Sequence, residues 1–80
     1  MMDVTYAVIE EKYAHLNGTR VAYGITVYKD SEEGTGTSVI YSIHDITRDR
    51  ERLEKLVDNC NRLNLSTLHI YDVVEDFLLE

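Results

Sequence analysis

Four groups of residues in this 80-residue chain have the chemical types needed for catalysis or ligand binding. His69, Asp72 and Asp76 are spaced i, i+3 and i+7, which places one imidazole and two carboxylates on one face if the segment is helical. Such a set can ligate a divalent cation, although a metal site normally has further ligands and supporting groups. We therefore predict that the chain binds no metal or cofactor and that these three residues belong to a solvated acidic face. A metal site formed by the three residues is the alternative.

The other three groups favour structural roles. His44 and Asp45 are neighbours on a predicted strand, so their side chains point to opposite faces and are poorly placed to bond each other. Cys60 is the only cysteine and falls on an apolar helix seam, which predicts a buried structural thiol. The segment Gly34-Thr35-Gly36 lacks the lysine and the following helix of a phosphate loop, which favours a flexible connection. No catalytic set converges, and we predict a protein that is not an enzyme.

Charge and composition narrow the class of protein further. The formal net charge is −7, from 8 basic and 15 acidic residues, whereas nucleic-acid binding requires a basic face. We therefore expect no nucleic-acid partner, although a basic stripe is predicted on the first helix at Arg48, Arg52, Lys55 and Arg62. No apolar run is long enough to cross a membrane, and no export signal accompanies the single cysteine. These features predict a cytoplasmic protein, with residues 1–80 forming a single domain and no membrane partner.

Alternating apolar residues predict three antiparallel strands, at 4–16, 19–29 and 38–46. Asn17-Gly18 is the strongest hairpin signal, because both central residues of a type I′ turn need positive φ. This turn predicts that Leu16 lies opposite Thr19. Glu10 and Lys12 then fall on an otherwise apolar face, which predicts a bulge or a ragged end in the first strand.

The period changes to helical after the third strand. Thr47 is the predicted N-cap of a first helix, whose apolar seam is Leu53, Leu56, Val57, Cys60 and Leu63. Ser66 is the predicted cap of a second helix, whose apolar face is Ile70, Val73, Val74, Phe77 and Leu78. The fold class is therefore α+β, a three-stranded antiparallel meander followed by two helices on one sheet face (β-β-β-α-α).

Two surfaces are candidate contacts for a partner protein. The sheet face opposite the helices carries Ile9, Tyr13, Ala22 and Tyr28, which is more apolar than a solvated face requires. Ordinary cross-strand pairing is an equal explanation for its two tyrosines.

The second candidate surface is the acidic face of the last helix, formed by Asp72, Glu75 and Asp76, which suits a basic partner or serves solubility alone. The function predicted from these surfaces is a non-enzymatic module that binds itself, as a homodimer, or another protein. The alternative is a small-ligand or metal-binding regulator using the face of His69.

Three segments also resemble a known family. The C-terminal run from Leu65 to Leu78 resembles the signature of an uncharacterised family of short proteins from Gram-positive anaerobic bacteria, whose members often carry proline where Thr67 stands. Tyr23-Gly24-Ile25 and Asp45-Ile46-Thr47 are similar to other parts of the same family. The resemblance covers nearly the whole chain and implies a cytosolic single-domain protein, but it implies no activity.

Overall fold

A computed structural model describes residues 4–30 and 36–79 and confirms the predicted α+β arrangement. The elements are β1 (Val4–His15), β2 (Gly18–Asp30), β3 (Thr37–Thr47), α1 (Arg50–Arg62) and α2 (Ile70–Leu79). The three strands form one antiparallel sheet in the order β1-β2-β3. The predicted connection through Gly34 and Thr35 lies outside the described residues.

The register of the β1–β2 hairpin differs from the predicted register by two residues. His15 pairs with Gly18, so the loop is Leu16-Asn17, and Ala14 lies opposite Thr19 in place of the predicted Leu16. The predicted type I′ turn is wrong because it needs positive φ at Asn17, and in this turn only Gly18 has it (φ 129°). A shift of two residues leaves every side chain on its predicted face.

The predicted bulge or ragged end in the first strand is also wrong. β1 pairs with β2 without a register shift from Val4 to His15, whereas β3 reaches only as far along β2 as Tyr23. The hairpin beyond Tyr23 is therefore a two-stranded arm, and Leu16 at its tip is 99% exposed. Glu10 and Lys12 lie on the helix-side face, and both charged side chains remain exposed to solvent there.

The irregular strand is β3. Its pairing with β2 shifts register between Tyr28 and Val27, and again between Ile25 and Tyr23. Such bulges bend a strand and redirect its side chains. The second bulge forms the candidate site described below.

Both helices begin later than the sequence predicts. Asp49, not Thr47, is the N-cap of α1, and its carboxylate accepts from the Arg52 N–H (3.2 Å). The Thr47 hydroxyl instead accepts from the Asp49 N–H (3.1 Å). Ser66 accepts from the Leu68 N–H (3.3 Å), but this bond closes a turn that precedes α2.

The core lies between the helices and one face of the sheet. Among the described residues its buried apolar side chains are Tyr6, Ile25, Val27, Ile46, Leu53, Val57, Cys60, Ile70, Val74 and Phe77. The Tyr41 and Tyr71 rings stack (5.9 Å between centroids, 7° between planes), which places α2 beside β3. Leu63 and Leu78 were predicted on the apolar faces but are 71% and 57% exposed, because each is at or near the end of its helix.

Asn61 on α1 holds the outer edge of β1. Its side-chain carbonyl accepts from the Tyr6 N–H (2.8 Å), and its amide donates to the Tyr6 carbonyl (2.8 Å), as a neighbouring strand would. The Tyr6 hydroxyl donates to the Leu65 carbonyl (2.7 Å), and burial, with smaller effects from Tyr41 and Cys60, raises the pKa of Tyr6 to about 12. Tyr6 thus joins β1 to the last turn of α1 and to the start of the α1–α2 connection.

Neither helix has the apolar length that a membrane crossing requires, within residues 4–30 and 36–79.

Candidate functional site

A polar cluster lies at the centre of the sheet face that the helices leave uncovered. We call this surface the open face; its side chains come from Thr5, Ala7, Ile9, Glu11, Tyr13, Arg20, Ala22, Gly24, Thr26, Tyr28, Val39, Ser42 and His44. Glu11 on β1 and His44 on β3 meet although β2 lies between them, with Glu11 Oε2 2.8 Å from His44 Nδ1. The same carboxylate accepts from the Tyr13 hydroxyl (3.1 Å) and the Asp45 N–H (3.3 Å).

Gly24 allows this contact across the central strand. A Cβ placed on Gly24 would overlap the carbonyl oxygen of Ile43, and it would lie 3.2 Å from both Glu11 Oε1 and the His44 Cα. Glycine therefore leaves the space through which the carboxylate reaches the imidazole.

The neighbouring bulge turns His44 and Asp45 toward the carboxylate. The β2–β3 pairing runs from Ile25–Ile43 to Tyr23–Thr47, so residues 44–46 lie opposite Gly24 alone. Asp45 adopts a left-handed conformation (φ 53°), which is uncommon for a residue other than glycine. A strained bulge of this kind is typical of positions where a side chain or a backbone group must be redirected.

The electrostatics follow from the hydrogen bonds. Partial burial alone would raise the pKa of Glu11, but the bonds from His44, Asp45 and Tyr13 outweigh it and hold this pKa below its usual value. Burial and the adjacent Glu11 carboxylate raise the pKa of Tyr13. An ionised carboxylate only accepts, so Nδ1 of His44 donates the hydrogen bond to Glu11. The imidazole is oriented but 62% exposed, and the cluster's clearest role is to join β1 to β3.

The lowered pKa of Glu11 makes the stability of the fold dependent on pH. A carboxylate with a depressed pKa stabilises the native state above its unfolded-state pKa, about 4.3, and this contribution disappears as the pH falls through the native value. We expect Glu11→Gln to flatten the fall of the free energy of unfolding below about pH 4.3, measured by urea denaturation from pH 6 to pH 3. The exposed Glu51 on α1 provides the control. Equal pH profiles for Glu11→Gln and Glu51→Gln would contradict the role of the cluster.

The four residues predicted as a partner surface all lie on the open face. Tyr13 is 40% exposed, Ile9 and Tyr28 are partly buried, and Ala22 is only 1% exposed. Ala22 therefore contributes to the floor of the face, and its larger neighbours supply the accessible apolar surface.

The model of a family of unknown function, DUF6514, matches residues 1–80. The chain belongs to this family. No curated protein and no solved structure matches the chain. The two short segments that carry the family resemblance, Tyr23-Gly24-Ile25 and Asp45-Ile46-Thr47, form the two sides of the bulge.

Sequence reasoning missed Glu11, the residue at the centre of the cluster. Glu11 and His44 are 33 residues apart, so no local spacing connects them. The available signal was Gly24 inside an apolar strand, which indicates a bulge or a close approach of another group. The side chains of His44 and Asp45 were predicted to be poorly placed to bond each other; the His44 imidazole and the Asp45 N–H each bond Glu11.

The remaining candidates lie on the helix side. His69 lies just before α2, and its carbonyl accepts from the Val73 N–H (3.1 Å), but no group of three metal-ligating side chains forms among the described residues. Asp72, Glu75 and Asp76 are exposed on α2, and their partner role stays a prediction. Cys60 is 4% exposed, and burial raises the pKa of its thiol, as expected for a structural cysteine.

Proposed function

We propose that this chain is a non-enzymatic self-association module, and that two copies meet through their open faces in the cytoplasm. The observation that carries the proposal is the one-sided packing of the sheet. Both helices and the buried core lie against the face of Tyr6, Ile25 and Val27. The described residues place no element over the opposite face.

The accessible apolar surface of the open face supports this proposal. Val39 is 58% exposed and Tyr13 is 40% exposed, with the partly buried Ile9 and Tyr28 beside them. Tyrosine and β-branched side chains on a sheet form good contacts, and tyrosine is enriched at interfaces. A domain of this size also has a small core, which oligomerisation commonly supplements.

The distribution of charge favours a second copy over a strongly charged partner. The open face carries Glu11 and Arg20, with Asp45 and His44 at the bulge, so the signs are mixed despite the net charge of −7. The acidic residues Asp72, Glu75 and Asp76 lie on α2, on the other side of the sheet. Face-to-face contact therefore keeps these like charges apart.

The oligomeric state in solution tests the proposal. We expect sedimentation equilibrium to show a dimer with a Kd of about 10 μM or lower. Val39→Lys places a charge in the contact and should raise the Kd at least about tenfold. Leu78→Lys is a matched control, because Leu78 is 57% exposed but lies on α2. A wild-type chain that stays monomeric at about 1 mM, or equal effects of the two variants, would overturn the proposal.

A further inference from the structure

A second feature, separate from the centre of the open face, lies on the hairpin arm. It is a cavity of about 280 Å³ lined by Asn17, Gly18, Thr19, Arg20, Val21 and Arg48. The cavity lies where β3 ends, because the last β2–β3 pair is Tyr23–Thr47 and Arg48 is the next residue. β2 continues past this point without a third strand beside it.

The strand register places backbone donors at this cavity. Asn61 bonds both backbone groups of Tyr6, so the N–H and C=O groups of Tyr6 point toward the outer edge of β1. Backbone groups alternate in direction along an antiparallel strand, so the N–H and C=O groups of Lys12 and Ala14 also point away from β2. The N–H and C=O groups of their partners, Val21 and Thr19, point away from β1. These groups point toward the space that a longer β3 would occupy. Thr19 and Val21 both line the cavity.

The charges that line the cavity are of one sign. Arg20 and Arg48 both line it, no acidic side chain does, and neither guanidinium has a partner among the described residues. The other arginines are engaged elsewhere. Arg50 bonds Glu54 (2.7 Å), Arg62 donates to Asn59 (2.7 Å), and the Arg52 guanidinium lies 4.8 Å from the centre of the Phe77 ring.

We propose that this cavity binds the phosphate group of a small phosphorylated molecule. Two guanidinium groups can each donate two parallel hydrogen bonds to phosphate oxygens, and the edge N–H groups add further donors. A bound dianion also removes the repulsion between two like charges. The cavity is near the lower end of the size of small-molecule sites, which favours a compact ligand. The inference does not depend on self-association through the open face.

Titration with inorganic phosphate, followed by amide chemical shifts of the labelled chain, tests this site. We expect saturable shifts at Thr19, Arg20, Val21 and Arg48, with a Kd of the order of 1 mM, at constant ionic strength maintained with chloride. Arg20→Gln and Arg48→Gln should each weaken binding at least about tenfold. Arg62→Gln, which also removes one arginine charge, should leave it unchanged.

A parallel titration with acetate separates phosphate from carboxylate recognition. Phosphate is expected to bind more tightly, because it offers more charge and more acceptor oxygens. Shifts that do not saturate, or that are equal in all three variants, would overturn the site. Acetate binding as tightly as phosphate would overturn its assignment to phosphate.

Discussion

Replacing Gly24 with alanine is expected to lower the free energy of unfolding by about 3 kcal/mol. The added Cβ overlaps the Ile43 carbonyl oxygen, which belongs to the backbone and cannot turn aside as a flexible side chain would. The bulge must therefore shift, and the Glu11–His44 contact must open. Urea denaturation followed by circular dichroism measures the loss.

Gly18→Ala separates steric overlap from backbone conformation. Gly18 has φ 129°, but a Cβ there meets no atom within 4 Å, so only conformational strain of about 1 kcal/mol is expected. Gly24→Ala should also acquire the flattened pH profile expected for Glu11→Gln. Equal losses for the two alanine variants, with an unchanged pH profile for Gly24→Ala, would show that Gly24 does not hold the cluster open.

Replacing Asn61 with leucine is expected to cost about 2 kcal/mol of unfolding free energy. Leucine preserves the approximate size of the side chain and favours a helix, but it leaves both backbone groups of Tyr6 without their partners. Thermal and urea unfolding measure the stability, and hydrogen exchange at the Tyr6 amide reports the lost bond directly.

The matched control for Asn61 lies two residues earlier on the same helix. Asn59 is exposed, and its side chain accepts only from Arg62 among the bonds described, so Asn59→Leu is expected to change stability by less than about 0.5 kcal/mol. Unchanged exchange at Tyr6 in Asn61→Leu would contradict the assigned role of Asn61.

The sheet could be predicted as far as apolar side chains alternate regularly along its strands. Alternation assigned Val8, Tyr23 and Ile25 to one face and Ile9 and Tyr28 to the other, and an error of two residues in the hairpin register did not move them. The turn itself depends on the φ of Asn17, which the Asn-Gly pair does not determine alone. Helix ends were displaced for a similar reason, since several polar residues compete for each cap.

The cluster was less predictable because it depends on a defect in that periodicity. Glu11 reads as a polar residue on the solvent side of a strand, and only the bulge opposite Gly24 brings it to His44. The alternation of side chains along a strand cannot predict that three residues of β3 lie opposite one residue of β2. Gly24 and the left-handed Asp45 determine the site together, from positions 21 residues apart.

The bonds between Tyr6 and Asn61 have a consequence for the chain during synthesis. The first strand emerges from the ribosome 55 residues before the side chain that completes its edge. A nascent chain that lacks α1 can form the hairpin from local contacts, but its outer edge has no covering group. Until α1 has left the ribosome and packed against β1, this edge is open to strand-to-strand pairing with another chain.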